Sequence, residues 1–512
     1  MNTRKGKNAL DTSNARVLRF SKLKSVIWMM TGTLFVAGCA SSAHGPDINN
    51  YVAPSADKLW IAPASVTQKL VSEENKAAIN QELIKPGSEL RLSDIISIAL
   101  QNNPDTRSAW YAARSAADEW LSKKGDYYPE ITGYGSVTHT VTSDNGSTSI
   151  ASFDPTVQLT WLLFDMGGRD ADVEEKYQAL LAADFTHNSE IQDTVFQVIE
   201  YYYEYTSAKA SKEAYEISLK EAAANLEAAK QKHDSGLATI ADVLQMKTAL
   251  SQSQVNLDSA DGDIQTIRGA LATAMGLPAN TAFDIEALVL NPQVDVVTQT
   301  VDDYVKQAQE NRPDLAAQRS EVEAAMAKFR SAHSARYPSL SFTDTLAGGI
   351  TSQSPSKWEN QNTAMLKLSV PIYKGNSLKY NELKAKEDAE KQKAILNKLE
   401  QTVIYEVWSS YYSLKTAAQQ VKSNEDLMES AQESYDVALG RYKEGVGGYL
   451  DLLSAQSSLQ SARSQRITAL NDWYISLAQL AKYTGTLWQQ ADGTLGENIG
   501  LFSSATIKDM KP

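Results

Sequence analysis

The chain is written twice. Pro104-Asp105 returns as Pro313-Asp314, 209 residues further on. The same interval carries Tyr128-Pro129 to Tyr337-Pro338, Val198 to Val407, Tyr202-Tyr203 to Tyr411-Tyr412, Gly236 to Gly445, Asp242 to Asp451 and Gly276 to Gly485. An interval that holds without net insertion means that helices, turns and strands have matching lengths in the two halves, so the fold must be an internal duplication.

The first 38 residues read as an address. Basic residues (Arg16, Arg19, Lys22, Lys24) lead into the apolar run Val26 to Val36 and then Val36-Ala37-Gly38-Cys39, the pattern of a bacterial secretion signal. Cys39 is the only cysteine of the chain. A sole cysteine just after such a run is read as a lipoprotein cleavage site whose new N-terminal Cys39 carries lipid (palmitate); the alternative is a plain signal peptide with an incidental cysteine. No intramolecular disulfide is possible, so stability must come from packing. The formal net charge is −13, and it becomes more negative once the basic leader is removed, which argues against nucleic acid as a partner. No apolar run after residue 38 reaches the roughly 18 to 20 residues of a membrane-spanning helix. A membrane crossing would have to be a barrel.

The divisions expected are a signal peptide (1–38), an extended tether (39–88), a first repeat (89–290), a second repeat (291–485) and a C-terminal tail (486–512). Each repeat is predicted to open with a helix: Asp94 to about Lys124, stopping before Tyr128-Pro129, and Asp302 to about Arg336, stopping before Tyr337-Pro338. Two strands follow in each, separated by turn-rich stretches at Ser143–Ser147 and Ser352–Gln361. Val157, Leu159 and Trp161 alternate with Gln158 and Thr160, and Leu366, Leu368 and Val370 alternate with Lys367 and Ser369. With Tyr127, Tyr128, Phe164, Tyr337 and Tyr373 near the strand ends, this fits a lipid-facing barrel with aromatic girdles, or a half-buried sheet of a soluble domain.

Arg169 to Ser235 and Asn376 to Leu439 contain neither Gly nor Pro, enough for helices about 100 Å long at about 1.5 Å per residue. In the second, Leu396, Leu399, Val403, Val407, Tyr411, Leu414, Ala418 and Val421 advance by threes and fours, a coiled-coil stripe. Each long helix stops at a glycine turn, Gly236-Leu237-Ala238-Thr239 or Gly445-Val446-Gly447-Gly448, and returns as Ile240 to about Met275 or Tyr449 to about Tyr483. Gly447-Gly448 is read as a flexible hairpin turn, since neither a preceding strand nor a following Lys-Ser/Thr supports a phosphate loop. No catalytic residues, metal ligands or cofactors are expected: His44, His139, His187, His233 and His333 are dispersed, without metal-ligand spacing.

These features resemble the TolC family of outer-membrane efflux proteins over about residues 90 to 485. The most specific parts are Leu159–Arg169 with its echo Leu368–Gly375, and the tips Gly236–Leu244 and Gly445–Leu453. The resemblance implies an α+β membrane protein: a homotrimer in which four strands per protomer close a twelve-stranded outer-membrane β-barrel, continued by a periplasmic α-helical coiled-coil barrel. It also implies a lipid-anchored member in the outer membrane, partnered by a periplasmic adaptor (membrane fusion) protein and an inner-membrane transporter of the RND type. The implied function is a passive conduit for small molecules, not an enzyme.

The family's gate maps onto Asp451 as an acidic ring, Tyr442 as the tyrosine reaching a neighbouring hairpin, and Asp242 as its acceptor. Ser454 stands where a second acidic ring is often found, and Gly447 where a basic residue usually supports the lock, so apolar closure through Leu450 and Leu453 is an alternative. Asp242 and Asp451 could equally serve only to begin the return helices. The other function weighed is a periplasmic adaptor or coiled-coil lipoprotein without a channel. A lipid-anchored hydrolase would need a nucleophile or metal set that the sequence does not display.

Overall fold

The computed structural model describes residues 52–60, 89–143, 147–286 and 299–487. The signal peptide, Cys39, most of the tether, the turn at 144–146 and nearly all of the C-terminal tail lie outside the described residues.

The first repeat runs β1 (Glu89–Leu90), α1 (Leu92–Asn102), α2 (Pro104–Lys124), β2 (Glu130–Ser143), β3 (Ser147–Phe164), α3 (Gly168–Asp234), α4 (Ile240–Ala274) and β4 (Asp284–Ile285). The second runs α5 (Val301–Asn311), α6 (Pro313–Ser334), β5 (Ser339–Thr351), β6 (Ser354–Ser369), α7 (Ser377–Lys443) and α8 (Tyr449–Tyr483). Both long helices have 67 residues and both return helices have 35. Their bounds differ by the same 209 positions as the sequence echoes.

Two expectations are corrected. The opening helix of each repeat is two helices, broken at Asn103-Pro104 and Arg312-Pro313. Proline forces the preceding residue into extended backbone, ψ 127° at Asn103 and 122° at Arg312, and then serves as the first residue of a new helix. The second turn-rich stretch is mostly strand: β6 begins at Ser354, and its polar residues Glu359, Asn360 and Gln361 pair with Gly349, Gly348 and Ala347. Cross-strand pairing overrides local polarity there.

The four long strands form one antiparallel sheet in the order β2-β3-β5-β6, so the repeats join through β3 and β5 and the edges β2 and β6 are free. One face carries Ile131, Leu159, Phe342 and Leu366; the other carries Thr132, Gln158, Thr343 and Thr363. Pro155 falls where the β3–β5 ladder skips from Phe153 to Thr156, as a residue without an N–H requires.

Strand turns into long helix through two successive left-handed residues in each repeat. These are Met166 (φ 57°) and Gly167 (φ 83°), then Gly375 (φ 59°) and Asn376 (φ 63°), which explains why these segments are the most specific echo. Arg169 clamps the first of these junctions, donating to the carbonyls of Asp126 (3.1 Å) and Leu162 (2.7 Å) across the ring of Tyr127.

The stripe expected on α7 is the buried one, with Val403, Val407, Leu414 and Val421 inside. The main core lies where α1, α3, α4, α7 and α8 meet and includes Ile95, Ile98, Ile199, Tyr202, Leu271, Leu414 and Leu470. There, Gly276 and Gly485 end the return helices at φ 71° and 72°. A Cβ on either would stand 2.5 Å or 2.8 Å from the backbone of Asn102 or Asn311, just before each Pro break. Return helix and helix break are therefore locked together by the absence of a side chain.

Candidate functional site at the hairpin tips

At the end remote from the sheet, each long helix closes on a left-handed glycine, Gly236 (φ 72°) or Gly445 (φ 79°). Leu237 N–H reaches back to Lys232 O at 2.8 Å and Val446 N–H to Arg441 O at 3.0 Å, satisfying the last carbonyls of the helix. Gly447 is not there for flexibility. Its N–H also donates to Arg441 O at 3.0 Å, and a Cβ would sit 2.9 Å from that of Arg441. Tight closure leaves no room for a side chain there.

The two return helices then begin differently. In the first, Thr239 and Asp242 form a capping box: the Asp242 carboxylate accepts from Thr239 N–H at 2.8 Å, and Thr239 Oγ1 accepts from Asp242 N–H at 3.3 Å. In the second, Gly448 stands where Thr239 would be and offers no side-chain cap. Asp451 is exposed, and its carboxylate makes no hydrogen bond among the described residues. The same aspartate is committed to helix initiation in one repeat and free in the other.

Tyr442 is buried with its hydroxyl unpartnered among the described residues. Burial, and after it the charge of Asp242, raises its phenol above the usual range. The Lys232 ammonium lies 4.3 Å from the Tyr442 ring centroid and donates to the Tyr442 carbonyl, joining the first hairpin to the second. Lys232 was not among the expected gate residues. Leu450 is exposed and Leu453 half-buried, while Leu452 between them is fully buried in a core with Leu226, Met246, Tyr435 and Leu459 drawn from both hairpins.

Further up the same seam, Arg463 grips Glu221 in a two-toothed ion pair, 2.9 and 3.0 Å, with Gln432 Oε1 at 3.2 Å. Asn225 donates to Gln456 at 3.0 Å, buried. Comparing the repeats position by position could have found these residues, since Arg463 and Gln456 correspond to Gln254 and Lys247 in the first. Among the described residues no group of three or more His, Cys, Asp or Glu could hold a metal ion, and no helix is long and apolar enough to cross a membrane.

A four-stranded sheet with free edges and one apolar face, continued into two helical hairpins about 100 Å long, defines a β-barrel channel protein with a long helical extension. A family model described as outer membrane efflux protein matches residues 95–277 and 304–486, one match per repeat. The chain belongs to the outer membrane efflux protein family, and is the outer-membrane channel component of an efflux system. It is 23% identical to the antibiotic efflux pump outer membrane protein ArpC of Pseudomonas putida over 493 residues, 93% of this chain and 99% of ArpC. It is 24% identical to the toluene efflux pump outer membrane protein TtgC of Pseudomonas putida, with the same coverage. Among solved structures the channel-forming protein CusC superposes with a TM-score of 0.71 at 19% identity, covering 78% of this chain and 92% of CusC.

Proposed function

We propose that three copies of this chain close a twelve-stranded barrel and a continuous helical tube. The tube is loaded from below by an inner-membrane transporter of the RND class through a periplasmic adaptor, and small molecules leave through the barrel. The free edges of β2 and β6 carry this reading: an unpaired edge cannot face hydrocarbon, and four strands cannot close on themselves. The chain acts as a passive conduit rather than an enzyme. Cys39, in its lipobox setting, anchors it by acylation to outer-membrane lipid.

Asp451 is the gate residue best supported by its surroundings, because among the described residues no hydrogen bond or ion pair employs its carboxylate. Three such groups converging around an axis would favour cations and repel anions. Tyr442 and Lys232 hold the two hairpins of one copy together, and Leu450 presents an apolar surface beside the ring. Conductance in a planar bilayer tests the reading. A detergent-stable trimer should give small, cation-preferring steps that grow on Asp451→Ala. Protein that stays monomeric and never inserts would overturn the conduit; unchanged cation preference in Asp451→Ala would overturn only the gate.

A further inference from the structure

Residues 52–60 lie as a strap on α2 and α3, with Val52, Ala53 and Trp60 buried. The helices grip it by its backbone. Trp110 Nε1–H of α2 donates to Ala53 O at 2.8 Å, and His187 Nε2–H of α3 donates to Ala56 O at 3.1 Å. Asn188 takes hold of Trp60 twice, accepting from its N–H at 2.9 Å and donating to its carbonyl at 3.0 Å. The Trp60 ring stands edge-on to Phe185, centroids 5.3 Å apart, and Leu181 shares a buried cluster with Ala53 and Trp60.

Asp184 falls inside this set of contacts. At about 100° per residue it lies about 60° around α3 from both Leu181 and His187 and about 40° from Asn188, and all three touch the strap. It is wholly buried, and neither carboxylate oxygen has a hydrogen-bond partner among the described residues. The charged groups on the elements packed there are Asp57 and Lys58 of the strap, Arg114 of α2, and Arg319 and Glu323 of α6, which line a groove beside Leu181 and Phe185. Arg114 lies over the Trp110 ring at 4.8 Å, and Arg319 donates to Gln309 O at 3.3 Å. A carboxylate held here must stay uncharged or be reached by water. Two of its covers, α2 and α6, are helices of 21 and 22 residues, whereas the strap is a short extended segment held by four side-chain to backbone bonds. The strap is the cover that opens at least cost.

We propose that the strap is a pH-set fastener: it stays docked while Asp184 keeps its proton and lifts to admit water when Asp184 gives the proton up. Burial raises the Asp184 carboxyl from its ordinary 3.8 to about 8 beneath the docked strap. A lifted strap returns it to water, so docking is firmest below pH 4, weakens as pH rises toward about 8 and levels off above that. His187 is held below its ordinary 6.5 by burial, against the pull of the Ala56 carbonyl and Asp57. It is therefore neutral from pH 6.5 to 8, and Asp184 is the group that changes. Lifting adds up to about 30 Å of extended chain, at about 3.3 Å per residue, to the tether after Cys39. That consequence, unlike the fastener itself, rests on the acylation proposed above.

The test is cleavage of the Lys58–Leu59 bond by a lysine-specific protease in the full-length purified protein, each rate divided by that of a free peptide of the strap sequence at the same pH. In the natural protein this ratio should rise about fifteenfold from pH 6.5 to pH 8, as the lifted fraction grows. In Asp184→Asn it should change little. Asn188→Ala, which removes both bonds to Trp60, should be cut about tenfold faster than the natural protein at pH 6.5. A ratio that stays constant with pH in the natural protein overturns the fastener without recourse to any variant. An equal rise in Asp184→Asn overturns the part given to Asp184, and Asn188→Ala cut no faster than the natural protein overturns the docking.

Discussion

The ring of Tyr203 lies flat on the ring of Tyr474, centroids 4.6 Å apart and planes within 5°. One belongs to the first long helix and the other to the second return helix, so this stack is a point at which the two repeats recognise each other. Truncating Tyr474 to Ala should lower unfolding stability by about 3 kcal/mol, whereas Tyr203→Phe should cost under about 1.5 kcal/mol. Thermal melts of the detergent-solubilised protein check both; equal effects would mean that the hydroxyl, not the ring, matters.

The joint between return helix and helix break depends on two glycines. Gly276→Ala and Gly485→Ala each demand a positive φ and push a Cβ to within 3 Å of backbone, so both should cut the yield of folded protein severely. Gly125→Ala, with nothing within 4 Å, should express normally. The comparison is made by recovery of heat-resistant oligomer from membranes.

Asp184 is fully buried on α3 with both carboxylate oxygens unpartnered among the described residues, and burial pushes its carboxyl up to about 8. Below pH 4 it is protonated in folded and unfolded chains alike. As pH rises from about 4 to about 8 the unfolded chain gives up this proton and the folded one keeps it, so stability falls through that window and levels off above it. His187, whose pKa burial lowers, acts in the opposite sense below its ordinary 6.5, which leaves pH 6.5 to 8 to Asp184. Melting temperature should fall across that interval in the natural protein and much less in Asp184→Asn.

Cap and gate should separate by mutation. Thr239→Ala breaks the capping box and should cost about 1 kcal/mol in stability with little change in ion preference. Asp451→Ala should do the reverse. Paired melts and reversal potentials distinguish them; a melt lowered equally by both would return Asp451 to a purely structural part.

The duplication was legible from paired residues alone because each marks a backbone event that tolerates few alternatives. Proline begins α2 and α6, left-handed glycine follows each long and each return helix, and an αL pair opens each long helix. Helix lengths followed from uninterrupted spans without Gly or Pro, and the buried stripe of α7 from its spacing of threes and fours. The breaks at Pro104 and Pro313 were misread as helix interior because the Ala-rich composition on the α2 side hides a proline that can equally begin a helix. Early β6 was hidden by polar residues that make sense only once β5 lies beside them.

Asp242 and Asp451 are equivalent letters 209 apart, and the sequence determined that both begin return helices. The four residues from Thr239 to Asp242 spend one on a threonine cap, and Gly448 leaves the other without that partner; the tertiary structure decided that no other described group takes up Asp451. It also decided that Glu221 meets Arg463 across more than 200 residues. Local pattern fixes what a segment becomes, because backbone sterics and burial periodicity act over a few residues. Which faces meet depends on how long rods pack side by side, and no window along the chain contains that information.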